Sequence, residues 1–332
     1  MGHNDAVSDT DTRPFPDPDP VDATDVDWQR QALDGLLAVL DLRPRPDQGD
    51  DVFEGQSQPQ PGGRVFGGQV LAQSLVAAQR TVDAERAVHS MHGYFLRAGD
   101  STEPITFSVE RLRDGRSFSA RRVHALQFGR PILSMIASFQ LPAVGLDHAE
   151  PMPDVPAPET LPSLGDRLAS VDDDRLRFWQ RHRPLDLRHV QAPIHVDAPA
   201  ETAREQAVWM RTYHALPDDP ALHAAVLAYA SDYTLLEPVL RAHGVTWSRP
   251  GLRVASLDHA MWWHRPVRVD QWLLYVQASP SASGARGLSL GRIYAQDGTL
   301  VASVGQEGMV RVPDPPDQRP DPSAGPSARS LG

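Results

Sequence analysis

The chain has 332 residues, 40% of them hydrophobic and 23% charged, so it is long enough for one large domain or two of ordinary size. Its formal net charge of −11 argues against nucleic acid as a partner, because that binding needs a basic surface. It contains no cysteine, and all 32 basic residues are arginine, which excludes disulfides, thiolate nucleophiles, Schiff-base lysines and phosphate-loop lysines. No apolar run is long enough to cross a bilayer, and we expect a cytoplasmic protein without a membrane partner.

Both ends of the chain have the composition of disordered segments. Residues 1–27 contain eight Asp and four Pro, and residues 313–332 are again rich in Pro. Such segments bury too little apolar surface to offset the entropy of ordering, so we predict a disordered tail at each end. A third Pro-rich stretch opens the segment 142–195, which we interpret as a linker and connecting segment between a first domain over 28–141 and a second over 196–312.

The first domain opens with a predicted strand at 52–58. A helical pattern follows at 67–82, with apolar residues on one face. Further strands are predicted at 89–99, 105–115, 117–129 and 130–140.

The second domain repeats this order of elements. A strand at 207–214 leads to a helix that Asp219 can cap, Pro220 can open and Gly244 can close. One helix followed by a run of antiparallel strands, present twice, predicts an α+β double hot-dog: two helix-wrapped antiparallel sheets from an internal duplication. The later strands are predicted at 254–267, 272–280, 286–298 and 299–312.

The common motifs of serine hydrolases, zinc proteases, phosphate loops and dinucleotide folds are absent from the sequence. Candidate functional residues are therefore polar side chains at positions where the pattern demands apolar ones. Asp232 shares a helical stripe with Leu222, Ala225, Tyr229 and Leu236, which predicts a carboxylate that faces the sheet. It is a candidate general base, and the alternative is a structural acid that caps a loop or pairs with an arginine.

Two further polar residues interrupt strand patterns. Gln306 shares a face with Ala302 and Val304 by period two, so it either holds a water or a substrate carbonyl or is a core glutamine bonded to the backbone. Ser256 alternates with Ala260 and Trp262 on its strand. Small hydroxyl side chains are common in strands, so the pattern alone favours a structural role for Ser256.

Histidines and arginines give weaker signals. The spacing of the histidines at the starts of matching strands would allow metal binding, but no acidic residue lies at a recognisable ligand spacing from them. Surface or core histidines are the simpler interpretation. Arginines in two turns could bind phosphate groups or could simply be solvated. These residues are His89, His92, His259 and His264, and Arg113, Arg116, Arg121, Arg122 and Arg286.

Many separate motifs in one order make the region from about Asp51 to Arg311 resemble the bacterial acyl-CoA thioesterase II (TesB-like) family of double hot-dog enzymes. The motifs are FGGQVLAQSL, HSMHGYFLRAGD, LRDGRSFSARRV, SDY, SLDHAMWWHRP, WLLYVQASPSASGARG and DGTLVASVGQEG.

That resemblance implies hydrolysis of acyl-CoA to a fatty acid and coenzyme A without a metal or other cofactor. It implies a site in the second hot-dog in which Asp232, Ser256 and Gln306 hold a water, with Ser256 where a Thr is the commoner residue. The family's early histidine falls on His89, in a first half that looks like a degenerate copy. We expect acyl-CoA as the substrate and a homo-oligomer; a hot-dog hydratase or dehydratase and a non-catalytic acyl-CoA-binding protein are the alternatives.

Overall fold

The computed structural model describes residues 27–169, 171–195 and 202–313. The predicted N-terminal tail, except Asp27, and nearly all of the predicted C-terminal tail lie outside the described residues. Within these ranges, the helices are α1 (Trp28–Leu40), α2 (Gly67–Gln79), α3 (Leu164–Leu168), α4 (Asp174–His182), α5 (Pro220–Ser231) and α6 (Glu237–Ala242), with a 3₁₀ turn at Pro158–Thr160.

The strands form one antiparallel sheet. Its order is β1-β2-β4-β5-β6-β3-β10-β13-β12-β11-β8-β7, with β9 paired to β13. The strands are β1 (Arg43–Pro44), β2 (Val52–Gly55), β3 (Ala87–Phe95), β4 (Ile105–Asp114), β5 (Phe118–Gln127), β6 (Arg130–Gln140), β7 (Leu185–His189), β8 (Glu205–Thr212), β9 (Arg253–Ser256), β10 (Asp258–Trp263), β11 (Leu273–Ser283), β12 (Arg286–Ala295) and β13 (Leu300–Arg311).

The strand order is a palindrome about the pairing of β3 with β10. The order β2-β4-β5-β6-β3 in the first half is matched by β8-β11-β12-β13-β10 in the second. Along the chain, the long helix of each half follows the first of these strands: α2 follows β2, and α5 follows β8. The predicted α+β double hot-dog is confirmed, and its two sheets join edge to edge into one.

The two long helices pack antiparallel inside this sheet. Close packing is permitted because position 68 is glycine: a Cβ there would lie 2.4 Å from the backbone carbonyl oxygen of Tyr229. At the other end, Gln79 Nε2 donates to the carbonyl of Ala221 at 3.1 Å. The amino end of α2 therefore lies beside the carboxyl end of α5. Polar residues at the end of α5, in the second half, are thereby brought next to the first half of the chain.

The segment 142–195 carries structure that the sequence pattern did not indicate. It contains α3, α4 and β7, and β7 pairs with β8 at the edge of the sheet. Its Pro-rich part covers the outer face of the second-half strands, where Met152 and Val155 pack against Trp209 and Leu274. Trp209 Nε1 also donates to the carbonyl of Pro156 at 2.9 Å. The domain boundaries given above stay a prediction.

Helix α1 is a second element that we did not predict. Asp27 is its N-cap, and the Asp27 side chain accepts a hydrogen bond from the backbone amide of Arg30. Leu33, Leu36 and Leu40 are buried at helical spacing, so the signal was present in the sequence.

Candidate active site

A cleft of about 770 Å³ opens between the carboxyl end of α5, the amino end of α2 and strand β9. Helix α4 and the residues after β3 complete its walls. The lining is largely apolar and aromatic with a few charged groups, which is the usual composition of a small-molecule site. The aromatic residues of the lining are Phe66, Phe95, Phe178, Trp179, Tyr229, Tyr233 and Trp247, and the charged residues are Arg64, Arg97, Arg183, Asp232 and Glu237.

The three candidate residues predicted from the sequence lie together: Asp232 and Ser256 line this cleft, and Gln306 is buried directly behind them. Gln306 Nε2 donates to Asp232 Oδ1 at 2.8 Å and to Ser256 Oγ at 2.6 Å. Ser256 Oγ is 3.4 Å from Asp232 Oδ1 and donates a longer hydrogen bond to it. One carboxylate oxygen therefore receives both side-chain donors.

Asp232 reaches this position by ending a helix. The prediction of one continuous helix from Pro220 to Gly244 is wrong: α5 ends at Ser231, and Asp232 is its C-cap. Pro238 lies at the start of α6 and has no N–H to continue an α-helical ladder, so the chain turns between the two helices. Asp232 therefore projects from a helix end into the cleft.

Ser256 is positioned by a β-bulge. Ser256 pairs with Gly308 of β13, and Ala260 pairs with Gly305. The chain advances four residues from Ser256 to Ala260 but only three between their partners, so the segment from β9 to β10 contains one extra residue. The predicted common face of Ser256 and Trp262 is therefore wrong, and Trp262 is largely exposed. The bulge turns Ser256 to the inner face of the sheet, where Gln306 lies.

Gln306 follows the predicted alternation. It is buried on β13 on the same face as Ala302 and Val304. Its amide oxygen lies 2.7 Å from Nδ1 of His259, which is fully buried on the neighbouring strand. A core glutamine bonded only to the backbone is thus not what the structure contains.

The amino end of α2 closes the site from the first half of the chain. The backbone N–H of Gly68 donates to the Asp232 carboxylate. A Cβ at position 67 would lie 2.7 Å from Asp232 Oδ2 and 3.1 Å from Phe95, so only glycine leaves space beside that oxygen. The paired glycines of the FGG motif thus permit both the helix crossing and the approach to Asp232.

The carboxyl group of Asp232 titrates far from its ordinary range. Burial raises its pKa to about 6, although hydrogen bonds from Gln306, Gly68 and Ser256 work against this by stabilising the charged form. A carboxylate with a pKa near neutrality is a suitable general base. No ion pair of Asp232 with an arginine occurs in the described part of the chain, so the alternative of an Arg-paired structural acid lacks support.

The histidine candidates do not form a metal site. His89 bonds to Ser138 Oγ at 2.8 Å, His92 to Asp258 at 3.1 Å, and His264 to Ser303 Oγ at 2.9 Å. In residues 27–169, 171–195 and 202–313, no three His, Asp or Glu side chains are gathered so that they could hold a metal ion.

The five arginines that we considered for phosphate binding do not line the cleft. Arg121 is fully buried and is bonded to Thr81 and Asp114, which fixes the end of α2. Arg122 and Arg286 form ion pairs with Glu110 and Glu307 on neighbouring strands. The arginines that do line the cleft are Arg64, Arg97 and Arg183. Arg97 lies in the HSMHGYFLRAGD motif but was not considered for phosphate binding, and Arg64 and Arg183 lie outside the motifs quoted above.

An aromatic cluster beside Asp232 was also missed. The ring of Phe66 stacks on Tyr233 at 4.9 Å and meets Tyr229 edge-on at 5.2 Å. The Tyr233 hydroxyl donates to the Tyr229 hydroxyl at 3.1 Å, and the guanidinium of Arg183 lies 4.7 Å from the Tyr233 ring centre. The helical spacing of Tyr229 and Tyr233 could have indicated the pair, whereas nothing in the sequence connects Arg183 with it.

None of the helices in the described ranges is both long and apolar enough to cross a membrane.

Known proteins resemble this chain along most of its length. A family profile described as acyl-CoA thioesterase matches residues 184–309, and one described as the acyl-CoA thioesterase N-terminal domain matches residues 56–140. Acyl-CoA thioesterase 2 of Haemophilus influenzae is 37% identical over 286 residues, covering 84% of this chain and 98% of the relative. Human acyl-coenzyme A thioesterase 8 is 39% identical over 292 residues, covering 83% and 89%.

Solved structures agree with these relatives. The crystal structure of an acyl-CoA thioesterase II, TesB2, from Mycobacterium marinum is 45% identical, covers 84% of this chain and 98% of its own, and has a TM-score of 0.70. A hot-dog protein of unknown function from Alicyclobacillus acidocaldarius has the same TM-score at 20% identity and supports the fold alone. This chain belongs to the acyl-CoA thioesterase II family of thioester hydrolases.

Proposed function

We propose that the protein hydrolyses fatty acyl-CoA to a free fatty acid and coenzyme A, with a water held by Asp232, Ser256 and Gln306. The observation that carries this proposal is that Gln306 bonds to Asp232 and Ser256, which both line the cleft, with the pKa of Asp232 raised to about 6 by burial. The names of the relatives support the substrate class.

In this mechanism Asp232 is the general base. It takes a proton from the water while the water oxygen attacks the thioester carbonyl carbon, and the carbon–sulfur bond then breaks. The proton passes from Asp232 to the departing thiolate, so the products are a carboxylic acid and the thiol. A thioester has a good leaving group and less resonance than an amide, so one positioned base suffices and no acyl-enzyme is required.

Gln306 and Ser256 orient the base. Both bond to Oδ1 of Asp232, and the two amide hydrogens of Gln306 serve Asp232 and Ser256, so Gln306 acts on the water through these two residues. Oδ2, beside the space at Gly67, is left to accept the hydrogen bond of the water. The amino end of α2 also presents the positive end of its dipole at this point, which favours negative charge on the carbonyl oxygen as the water adds.

The cleft offers separate surroundings to the two parts of the substrate. Apolar side chains such as Val70, Phe95 and Leu236 are suited to an acyl chain, and we propose that Arg64 and Arg97 meet the phosphates of coenzyme A. Arg97→Gln is then expected to raise KM for acyl-CoA with little change in kcat.

We also propose that the protein is a homo-oligomer that uses the outer face of the central strands. Tyr94, Ile136, Trp262 and Leu290 are largely exposed there, on strands β3, β6, β10 and β12. The palindromic strand order makes this face nearly symmetric about the β3–β10 pair, which suits contact with a second copy. Light scattering should give a mass that is a multiple of 36.4 kDa, and Trp262→Asp should reduce that mass.

The cytoplasmic location stays a prediction from the sequence.

The direct test of the proposed reaction is release of free thiol from acyl-CoAs of increasing chain length. A thioesterase releases one thiol per substrate, whereas a hydratase changes a carbon–carbon bond and releases none. An acyl-CoA-binding protein without activity would bind substrate and release none. Absence of thiol release from every acyl-CoA tested would overturn the proposal.

A further inference from the structure

His259 lies directly behind the proposed site and has no part in the mechanism above. It is fully buried on β10, with Nδ1 2.7 Å from Gln306 Oε1 and Nε2 2.9 Å from the Ser231 hydroxyl. Ser231 Oγ also lies 2.9 Å from the carbonyl oxygen of Ala228. A continuous chain of hydrogen bonds therefore runs from the last turn of α5 through His259 and Gln306 to Asp232.

The donors and acceptors in this chain fix the state of the imidazole. Ionised Asp232 has only acceptors, so Gln306 must turn its NH₂ group toward it and its carbonyl oxygen toward His259. Nδ1 of His259 must then carry a hydrogen. Burial lowers the pKa of His259 to about 4, so near neutral pH the ring holds one hydrogen and Nε2 is an acceptor. The single hydroxyl hydrogen of Ser231 has two acceptors at 2.9 Å, the Ala228 carbonyl and Nε2, and this state of the ring requires it to point to Nε2.

The opposite tautomer demands the opposite arrangement. With its hydrogen on Nε2, His259 would donate to Ser231 and present a lone pair to Gln306. The Gln306 amide would then have to rotate, with its NH₂ toward His259 and its carbonyl toward Asp232. A carbonyl facing Asp232 is favourable only when that carboxyl group is protonated, so the tautomer of His259 and the ionisation of Asp232 are coupled.

We propose that His259 is a positioning residue that holds the Gln306 amide, through its Nδ1 hydrogen, in the orientation that keeps Asp232 ionised. This inference rests on the proposed function, because it assigns His259 a part in preparing the base of that reaction. It concerns a residue that touches neither the substrate nor the water.

The charged groups near His259 do not replace this role. Asp258 raises and His92 lowers the pKa of His259, and these two residues pair with each other at 3.1 Å away from the cleft. On the α5 side His259 meets the neutral Ser231, and on the β13 side the neutral Gln306. The tautomer is therefore decided by hydrogen bonds and not by a neighbouring charge.

Two substitutions of similar shape separate a positioning role from a packing role. His259→Asn can place an amide N–H near the position of Nδ1, whereas Leu branches at the same carbon as Asn and has no donor. We expect His259→Leu to lower kcat by about tenfold or more, the effect of one lost hydrogen bond in a network with a charged group, with little change in KM. It should also move the acid limb of the pH profile to higher pH, because Asp232 loses a fixed donor. His259→Asn should restore kcat to within about threefold of the wild type and restore the pH profile.

His264→Leu is the matched control. Like His259, His264 bonds to a side chain of β13, here Ser303, but on the exposed side of the sheet, so its loss should leave kcat and the pH profile unchanged. If His259→Leu and His259→Asn lose activity equally, or neither moves the pH profile, the positioning role is wrong.

The tautomer can also be read without measuring activity. The ¹⁵N shifts of the His259 ring in ¹⁵N-histidine-labelled wild-type protein at pH 7.5 should show a protonated Nδ1 and an unprotonated Nε2, and Asp232→Asn should alter them. A protonated Nε2 at that pH would overturn the inference even if His259→Leu does not fold. A wild-type protein that releases no thiol would instead overturn the proposed function, so the two failures are distinguishable.

Discussion

The two halves of the sheet place very different residues at matching positions. In the first half, Met91 on β3 pairs with Ala137 on β6, and Ala137 pairs with Arg121 on β5. In the second half, the corresponding strands carry His259 on β10, Gln306 on β13 and Ser289 on β12. The same three positions thus carry apolar groups and a hydrogen-bonded arginine in one half, and a polar row in the other, in which His259 and Gln306 bond to each other.

The helix ends differ in the same sense. The C-cap of α2 is Arg80, which bonds to Asp41 and to the carbonyl of Leu42, whereas the C-cap of α5 is Asp232. Buried Arg121 further bonds to Thr81 at the end of α2. The first half of the chain therefore uses these positions to fix its helix α2, whereas the second half presents the Asp232 carboxylate to the cleft. A shared fold does not imply a shared site, since the site depends on a few side chains.

The strongest way to break this comparison is to remove the carboxylate. Asp232→Asn keeps size and hydrogen-bonding shape but cannot accept a proton, so kcat should fall by about 10²- to 10⁴-fold while acyl-CoA affinity stays nearly unchanged. Steady-state rates and equilibrium binding give both values. Near-normal turnover, or equal losses of rate and affinity, would contradict the role of Asp232 as base.

Removing the amide gives a smaller effect. Gln306→Ala installs in the second half the residue that the first half has at position 137, and we expect kcat to fall by about 10- to 100-fold because the base loses its donor at 2.8 Å. Ser303→Ala on the same strand is the control and should keep full activity. Unchanged turnover in Gln306→Ala would show that the polar row is not required.

Adjacent glycines of α2 should respond differently to alanine. Gly68→Ala places a methyl group against the backbone carbonyl of Tyr229, so unfolding free energy should drop by about 1–3 kcal/mol. Gly67→Ala instead contacts Asp232 Oδ2 and Phe95, and should lower kcat more than it lowers the melting temperature. Denaturation and rate measurements on both variants test this, and the reverse ranking would contradict it.

The pKa of Asp232 predicts the pH dependence of activity and of stability. Activity needs the ionised base, so kcat/KM should fall as pH drops through about 6. The folded-state pKa lies above the ordinary value of 3.8, so the stability that Asp232 contributes below pH 3.8 is lost as pH rises through about 6. Asp232→Asn should therefore raise the melting temperature at pH 7.5 relative to wild type more than at pH 4.5. A lower melting temperature at pH 7.5 would identify a structural acid.

The smallest expected effect is that of chelation. We predict that thioesterase activity needs no metal ion, because the proposed mechanism uses only the three side chains and a water. Turnover after exhaustive treatment with EDTA should equal that of untreated enzyme. A loss that one added metal restores would contradict the prediction.

Sequence reasoning located the repeated elements and brought out Asp232 and Gln306, because polar residues in apolar patterns are visible without a structure. Ser256 was assigned to the site by the family resemblance alone. It failed where tertiary context overrode periodicity. Helix α5 ended at Ser231 where the pattern continued, and a bulge after Ser256 reversed the faces of β10. His259 was considered as a metal ligand or as a surface or core histidine. Its position behind the site was missed because its two partners lie on other elements, 28 and 47 residues away along the chain.

Asp232 and Gln306 are proposed to act on one shared water, and a double-mutant cycle distinguishes this from two independent roles. Thiol release would be measured for wild type, Asp232→Asn, Gln306→Ala and the double mutant at saturating acyl-CoA. If the two residues serve the same water, the double mutant should be no slower than Asp232→Asn by more than about twofold, since without the base the orienting amide has little left to orient. A double mutant that loses the full product of the two single effects would contradict the shared-water account.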